Sequence, residues 1–354
     1  MKIAFSADLH LTSQATHPER FHALESILKR MLEEEISTLI IAGDLFDKEA
    51  QEYADFERLV NKKAFAGLEI LIINGNHDAG LKSGSLKCDN VRIYDQPTLL
   101  KETDYGIDLL LVPYDPRKTL GEIISAEKGG LRPKAWVLVS HGDWLGGARE
   151  ANPYEQGVYM PLTRGDMDIN EPAAAVLGHI HKAYDSGSVV IPGSPCGLNI
   201  TETGLRSFVV LNTNNRHFQR IPIETDVIYL DERMVLYPMP DEAAYLSTQI
   251  EAKKTSWGIP EGAHEKIILR LKVEGYCANP QLVKEAVSQG FKGYQFHKDE
   301  GIDFYGLKSS DDVEKNTIAV VIQDAIGALE LRSGDGEPER EQILLSALDV
   351  IYGN

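Results

Sequence analysis

Short apolar runs, each closed at once by a polar cluster, recur along the first half of the chain. Residues 3–5 lead into Ser6-Ala7-Asp8-Leu9-His10, and Thr38–Ala42 into Gly43-Asp44. Glu69–Ile73 leads into Asn74-Gly75-Asn76-His77-Asp78. Residues 136–139 lead into Ser140-His141-Gly142-Asp143, and residues 174–177 into Gly178-His179-Ile180-His181. Apolar runs of this kind, without alternation, predict strands covered on both faces. Between them, residues 18–35 place Phe21, Leu24, Ile27, Leu28 and Met31 at helical spacing with a proline at the start, and residues 51–65 place Phe56, Leu59 and Val60 on one side. Alternating strands and helices imply right-handed crossovers in a largely parallel sheet. Ligands of such sheets gather beyond the carboxyl ends of the strands, and all five polar clusters lie there.

Further apolar stretches at 107–113, 189–192 and Ser207–Asn212 predict strands without ligands, which would complete two sheets packed face to face. The expected architecture is a four-layer α/β/β/α sandwich over residues 1–226. The pattern fades at 221–227. Beyond it, a helix is expected at 241–256, a strand at 266–273, a short helix at 279–289 and strands near 293–297 and 302–305, together an α+β capping domain over 227–332. The tail, 333–354, carries an amphipathic helix suited to docking a partner or to packing on the helix expected at 317–331. Ser333-Gly334-Asp335-Gly336 reads as a hinge between the two.

The composition, 43% hydrophobic and 25% charged, belongs to a globular protein rather than a disordered or fibrous one. No apolar run approaches the roughly 18 residues a membrane helix needs. Residues 1–8 reach an acid too early for a secretory signal, so a cytoplasmic location without membrane association is expected. Cys88, Cys196 and Cys277 are far apart and form no metal or redox pair, in keeping with a reducing compartment. With 54 acidic and 36 basic residues the net charge is −18, which speaks against tight autonomous binding to nucleic acid.

The polar clusters carry the chemistry as an ensemble. Two carboxylates, an amide and four imidazoles end five strands, and such oxygen and nitrogen donors suit Mn²⁺, Fe²⁺, Zn²⁺ or Mg²⁺. Without cations, these buried polar side chains would be costly. Asp8-x-His10, Gly43-Asp44, Gly75-Asn76-His77-Asp78, His141-Gly142 and Gly178-His179-Ile180-His181 together resemble the signature of the calcineurin-like metallophosphoesterases. That resemblance implies two divalent metals: Asp8, His10, Asp44 and His181 around the first, Asp44, Asn76, His141 and His179 around the second, with Asp44 bridging. It implies that His77 meets the scissile phosphate or protonates the leaving oxygen. Asp78 is then expected to fix the tautomer of His77.

Finer details are similar to the SbcD-type DNA repair exonucleases: Ser6-Ala7-Asp8-Leu9-His10-Leu11, Gly43-Asp44-Leu45-Phe46-Asp47, Gly178-His179-Ile180-His181-Lys182 and Gly193-Ser194-Pro195. This further resemblance implies hydrolysis of DNA phosphodiester bonds with Mn²⁺, a coiled-coil ATPase partner of the SbcC type, and a homodimer. Asp47 departs from relatives that place a second histidine there, and bracing the loop after Asp44 is an equal expectation for it. Lys182, Arg149, Arg164 and Arg206 lie near the motifs, where solvated surface charge is the first expectation and phosphate contact the second. Rival readings are a small-nucleotide phosphodiesterase or phosphatase, and a non-catalytic scaffold on the same fold. The scaffold is disfavoured because every ligand position is filled.

Overall fold

The computed structural model describes residues 1–48, 53–146, 157–329 and 339–353. The chain divides into two compact units, Met1–Cys196 with Leu205–Asp226, and Gly197–Gly204 with Val227–Asn354.

In the first unit the elements are β1 (Lys2–Ser6), α1 (Pro18–Glu33), β2 (Thr38–Ala42), α2 (Ala54–Val60), β3 (Glu69–Ile73), β4 (Val91–Tyr94), β5 (Thr98–Leu100), α3 (Glu102–Tyr105) and β6 (Asp108–Val112). There follow α4 (Leu120–Glu127), β7 (Trp136–His141), α5 (Arg164–Asn170), β8 (Ala174–Gly178), β9 (Tyr184–Ser186), β10 (Val189–Ile191), β11 (Ser207–Asn212) and β12 (His217–Pro222). One sheet has the order β12-β11-β1-β2-β3-β4, the other β5-β6-β7-β8-β10-β9. Strands β1 to β4 are parallel, as are β6, β7, β8 and β10.

Alternate residues of each strand serve two different cores, which is why the runs are continuously apolar. Ile3, Phe5, Ile40, Leu71, Val137, Val139 and Val176 fill the space between the sheets. Ala4, Leu39, Ile41, Ile70 and Ile72 face the other way, against Phe21, Leu24, Ile27, Leu28 and Met31 of α1. On the far sheet Leu110, Val112 and Leu138 pack with Leu120, Ile123 and Ile124 of α4. The result is the four-layer α/β/β/α sandwich. Register then levels the strand ends that carry the polar clusters: Ser6 pairs with Ile41, Ala42 with Ile73, and His141 with Gly178.

The second helix is shorter than its apolar spacing suggests. Regular helix ends at Val60, Lys62 adopts an extended ψ of 135°, and a 3₁₀ turn carries Lys63–Phe65. Strands β4, β5 and β12 escaped the sequence reading because they are short or only half-buried.

In the second unit, β13 (Ile228–Leu236) pairs in parallel with β14 (Ile267–Cys277), with α6 (Glu242–Ser256) and α7 (Pro280–Gly290) as neighbours in chain order. The polar stretch Asp231-Glu232-Arg233 hides β13 from a search for apolar runs. Helices α8 (Val313–Gly327) and α9 (Arg340–Tyr352) follow the three short strands β15 (Gln295–Phe296), β16 (Ile302–Asp303) and β17 (Leu307–Ser309). Leu344 and Leu348 of α9 are buried with Val235, Tyr276, Ala319 and Ile326, so the tail helix packs within its own unit. The expected hinge at 333–336 lies outside the described residues, as does Arg149. Among the described residues no helix is long and apolar enough to cross a membrane.

Candidate metal centre

Three of the five strand ends, those of β1, β2 and β8, deliver their side chains through tight reversals of the backbone, whereas His141 is still part of β7. Asp8, His10, Asp44 and His179 all have positive φ, 55°, 46°, 51° and 95° respectively, a region that costs a non-glycine residue about 1–3 kcal/mol. The strain is held by pairing between loops. Asp8 N–H donates to Gly43 C=O at 3.1 Å, His10 N–H to Asp44 C=O at 3.0 Å and Leu11 N–H to Leu45 C=O at 2.9 Å. The glycines before Asn76 and His179 are spatial necessities: a Cβ on Gly75 would lie 2.1 Å from Asp44 Oδ1, and one on Gly178 would lie 2.0 Å from Ala42 O.

Asp44 sits at the centre. Its Oδ1 accepts the His77 N–H at 2.8 Å, while Oδ2 lies 3.6 Å from His10 Nε2 and 3.4 Å from His141 Nε2. On one side His10 Nε2 and His181 Nε2 approach to 3.1 Å. On the other, Asn76 Oδ1 lies 2.8 Å from His141 Nε2 and 3.2 Å from His179 Nδ1. Asp8 accepts the His179 N–H at 2.9 Å, which ties the first cluster to the last. Donor atoms of Asp8, His10 and His181 lie within 4.8 Å of one another, as do those of Asp8, Asp44 and His141. The structure therefore brings all seven sequence-predicted ligands into one ring. The donor set fits two cations sharing Asp44, since a bridging carboxylate offsets the repulsion between two metals about 3.5–4 Å apart.

The protein's own charges show what the cations must displace. Burial disfavours charge on His141, yet Asp44 and Asp8 beside it hold the ring protonated, raising its pKa to about 10. Burial would raise Asp44, but His141 and His10 hold it below the usual carboxylate range. Burial pushes Asp8 up to about 6 and, as the largest effect, takes His10 down to about 3. His141 donates from Nδ1 to Ala42 C=O at 2.9 Å, which turns Nε2 toward the ring centre.

His77 stands beside the ring, edge-on to His10 with centroids 4.5 Å apart, and offers a nitrogen within 4.8 Å of the His10 and Asp44 donors. Its expected orienter was Asp78, and this is corrected. Asp78 is buried and spends its carboxylate on the backbone, accepting Gly75 N–H at 2.7 Å and Phe46 N–H at 3.2 Å. The group that meets His77 Nδ1 is Asp47, at 3.0 Å, and that bond is the main reason Asp47 is held down at about 2. Asp78 follows its histidine in sequence, but its short side chain turns back into the loop.

Arg206 is also corrected. Rather than a solvated charge it is buried, and its guanidinium donates to His181 C=O at 3.4 Å. Lys182 and Arg164 are exposed, and Arg164 donates to Gly146 C=O. Cys196 is a buried filler of the α1-side core.

Sequence reasoning missed Arg20, a buried cation from α1 that donates to His10 C=O and lies 3.5 Å from Asp47 Oδ2. A cation abutting the apolar stripe at Phe21 and Leu24 was the available signal. Tyr159 was missed as well; its ring lies 4.8 Å from that of His179. Nothing in its sequence neighbourhood marks it.

A two-sheet sandwich with a histidine–carboxylate ring at the strand ends defines a metal-dependent hydrolase of phosphoesters. The chain belongs to the calcineurin-like phosphoesterases, whose family model matches residues 1–183. Members of that family bind two divalent metals. A DNA double-strand break repair protein, Mre11 of Nanoarchaeum equitans (strain Kin4-M), is 32% identical over 333 residues, 82% of this chain and 82% of its own length. YhaO, an uncharacterized metallophosphoesterase of Bacillus subtilis (strain 168), is 25% identical over 241 residues, 59% of this chain, and the match spans 57% of its length. Among solved structures, TT1561 of Thermus thermophilus overlays with a TM-score of 0.39 at 13% identity, covering 63% of this chain and 99% of that one.

Proposed function

We propose that the protein is a two-metal phosphodiesterase acting on DNA, a nuclease subunit similar to the SbcD type, with Mn²⁺ as the working metal. The observation that carries hydrolysis is the ring of seven donors centred on Asp44 Oδ2. The support for DNA is the 32% identity to a double-strand break repair protein across most of both chains. Two cations, one held by Asp8, His10, Asp44 and His181 and the other by Asp44, Asn76, His141 and His179, would supply an activated water and stabilise charge on the phosphate oxygens.

The protein's own groups complete the reaction. His77, charged, gives its Nε2 proton to the leaving oxygen as the P–O bond breaks. It is left as the Nδ1–H tautomer, which donates to Asp47. An ionised Asp47 favours the charged ring before transfer and fixes its orientation throughout. Arg20 holds the His10 carbonyl and approaches Asp47, so one helix side chain braces both sides of this device. A coiled-coil ATPase partner of the SbcC type and a homodimer belong to the same proposal, since a chain of net charge −18 needs help to grip DNA.

The test is cleavage with Mn²⁺ of plasmid and end-labelled oligonucleotides, run beside cyclic dinucleotides and a chromogenic phosphodiester. DNA cleavage abolished by Asp44→Ala is the expected result. Turnover of the small substrates with DNA untouched would replace the nuclease with a small-nucleotide phosphodiesterase.

A further inference from the structure

The two histidines of the second metal position are backed differently. His141 sends its outward nitrogen to a neutral carbonyl, Ala42 C=O, at 2.9 Å. His179 turns Nδ1 to Asn76 Oδ1 at 3.2 Å, and its opposite nitrogen, Nε2, faces Asp143 Oδ1 at 3.8 Å. Asp143 follows β7 by two residues, so the strand that supplies one ligand also supplies the group behind another. It is only 3% exposed, an environment in which a carboxylate is retained only with partners.

Its second oxygen has one. Asp143 Oδ2 accepts the Tyr159 N–H at 2.8 Å, and the Asp143 N–H returns a bond to Tyr159 C=O at 2.8 Å. Tyr159 then lays its ring against His179, with centroids 4.8 Å apart and planes at 38°. The His179 ring is thus confined on its face by an aromatic ring and at its outer edge by an anion, while its N–H donates to Asp8.

We propose that Asp143 is the positioning residue of the second metal site, holding His179 as the Nε2–H tautomer so that the Nδ1 lone pair points at the cation. The inference rests on the two-metal reading of the ring. A carboxylate behind a ligating imidazole fixes the tautomer and raises the basicity of the ligating nitrogen, and its loss costs about 10–100-fold in metal affinity. At 3.8 Å the pair is beyond hydrogen-bond length, so Asp143 acts on the Nε2–H as a charge on a dipole. The 3.2 Å approach of Nδ1 to the Asn76 oxygen, which can only accept, is the contact that a cation shared by the two would replace. The carbonyl behind His141 does the same for that ring by direct bonding.

The experiment uses the full chain, with Mn²⁺ titrated into metal-free protein by calorimetry and stoichiometry checked by elemental analysis. Wild type should take two equivalents. Asp143→Asn should take the first with unchanged affinity and the second about 10–100-fold more weakly. A readout separate from activity follows the tautomer. In Zn²⁺-loaded, ¹⁵N-histidine protein, the His179 ring, assigned with His179→Gln, should show its proton on Nε2, and Asp143→Asn should broaden or shift that signal while leaving His141 unchanged. Two equally tight equivalents in Asp143→Asn would overturn the proposal. So would an unaltered His179 ring signal with an equal fall in melting temperature with and without metal, which would make Asp143 only a brace for Tyr159. Should wild type itself bind one ion or none, the two-metal reading fails, an outcome distinct from either.

Discussion

In the proposed reaction His77 and Asp47 share one proton transfer, and their contributions should separate under mutation. His77→Ala should retain two metals by elemental analysis while turnover falls about a hundredfold or more, the scale of a lost general acid. Asp47→Asn keeps the hydrogen-bond partner of Nδ1 but removes the charge, so its loss should be smaller and confined to kcat. Loss of metal in parallel with activity would make His77 a ligand. A second consequence concerns protons. In the metal-free ring His141 is held protonated, with a pKa near 10, and must lose that proton to bind a cation through Nε2. Metal uptake at pH 7 should therefore release protons, measurable by calorimetry in buffers of different ionisation enthalpy, and affinity should rise with pH. The sign for the metal-free fold is the reverse. A folded pKa above the unfolded 6.5 means His141 stabilises fully below about pH 6.5 and that this stabilisation is lost as pH rises through about 10. If metal binding released no protons between pH 6 and 8, the ion pair of His141 with Asp44 would be wrong.

At the scale of the element, α1 is fixed by packing and not by its caps, since His17 at its start makes no side-chain cap bond. Its stripe of Phe21, Leu24, Ile27, Leu28 and Met31 is buried against β1, β2 and β3, each side chain contributing about 1.5–3 kcal/mol. Leu28→Ala, at a position with no exposure, should lower unfolding free energy by about 2–5 kcal/mol in denaturant titration. Because Arg20 rides on the same helix to reach His10 and Asp47, such packing changes should also be felt at the site. Helix α7 shows the opposite case. Asn279 accepts the N–H groups of Gln281 and Leu282 at 3.1 and 3.2 Å, so Asn279→Ala should cost about 0.5–2 kcal/mol, confined to the second unit.

For the molecule as a whole, the division into two units sets what truncation can do. The seven candidate ligands and His77 all lie in the first unit, whereas α9 lies in the second. Removing residues 339–354 strips Leu344 and Leu348 from a cluster with Val235, Tyr276, Ala319 and Ile326. It also removes the Tyr352 ring stacked 4.1 Å from Tyr276. The truncated protein should show a lower melting transition for the second unit, with metal binding at the first unit retained. An unchanged melting profile would mean that α9 contributes nothing to the fold and stands ready to dock elsewhere.

Local chemistry made much of this protein legible. The apolar runs before Asp8, Asp44, Asn76, His141 and His179 pointed to strands covered on both faces, as they are, and the clusters that end them supplied the candidate ligands that the family resemblance implies. What the chain alone left undecided depends on directions in space. Asp78 adjoins His77 in sequence, yet it turns to the Gly75 and Phe46 amides, and Asp47 from another loop takes its place. Arg206 reads as a surface charge until strand pairing carries it beneath His181. Arg20, Asp143 and Tyr159 stand beside the ring only because α1, the end of β7 and residues 157–162 surround it. A metal ligand set is written in residue types and spacing because the cation demands them. The groups that orient those ligands act through any nearby carboxylate, carbonyl or ring, and only the folded chain determines which of these is near.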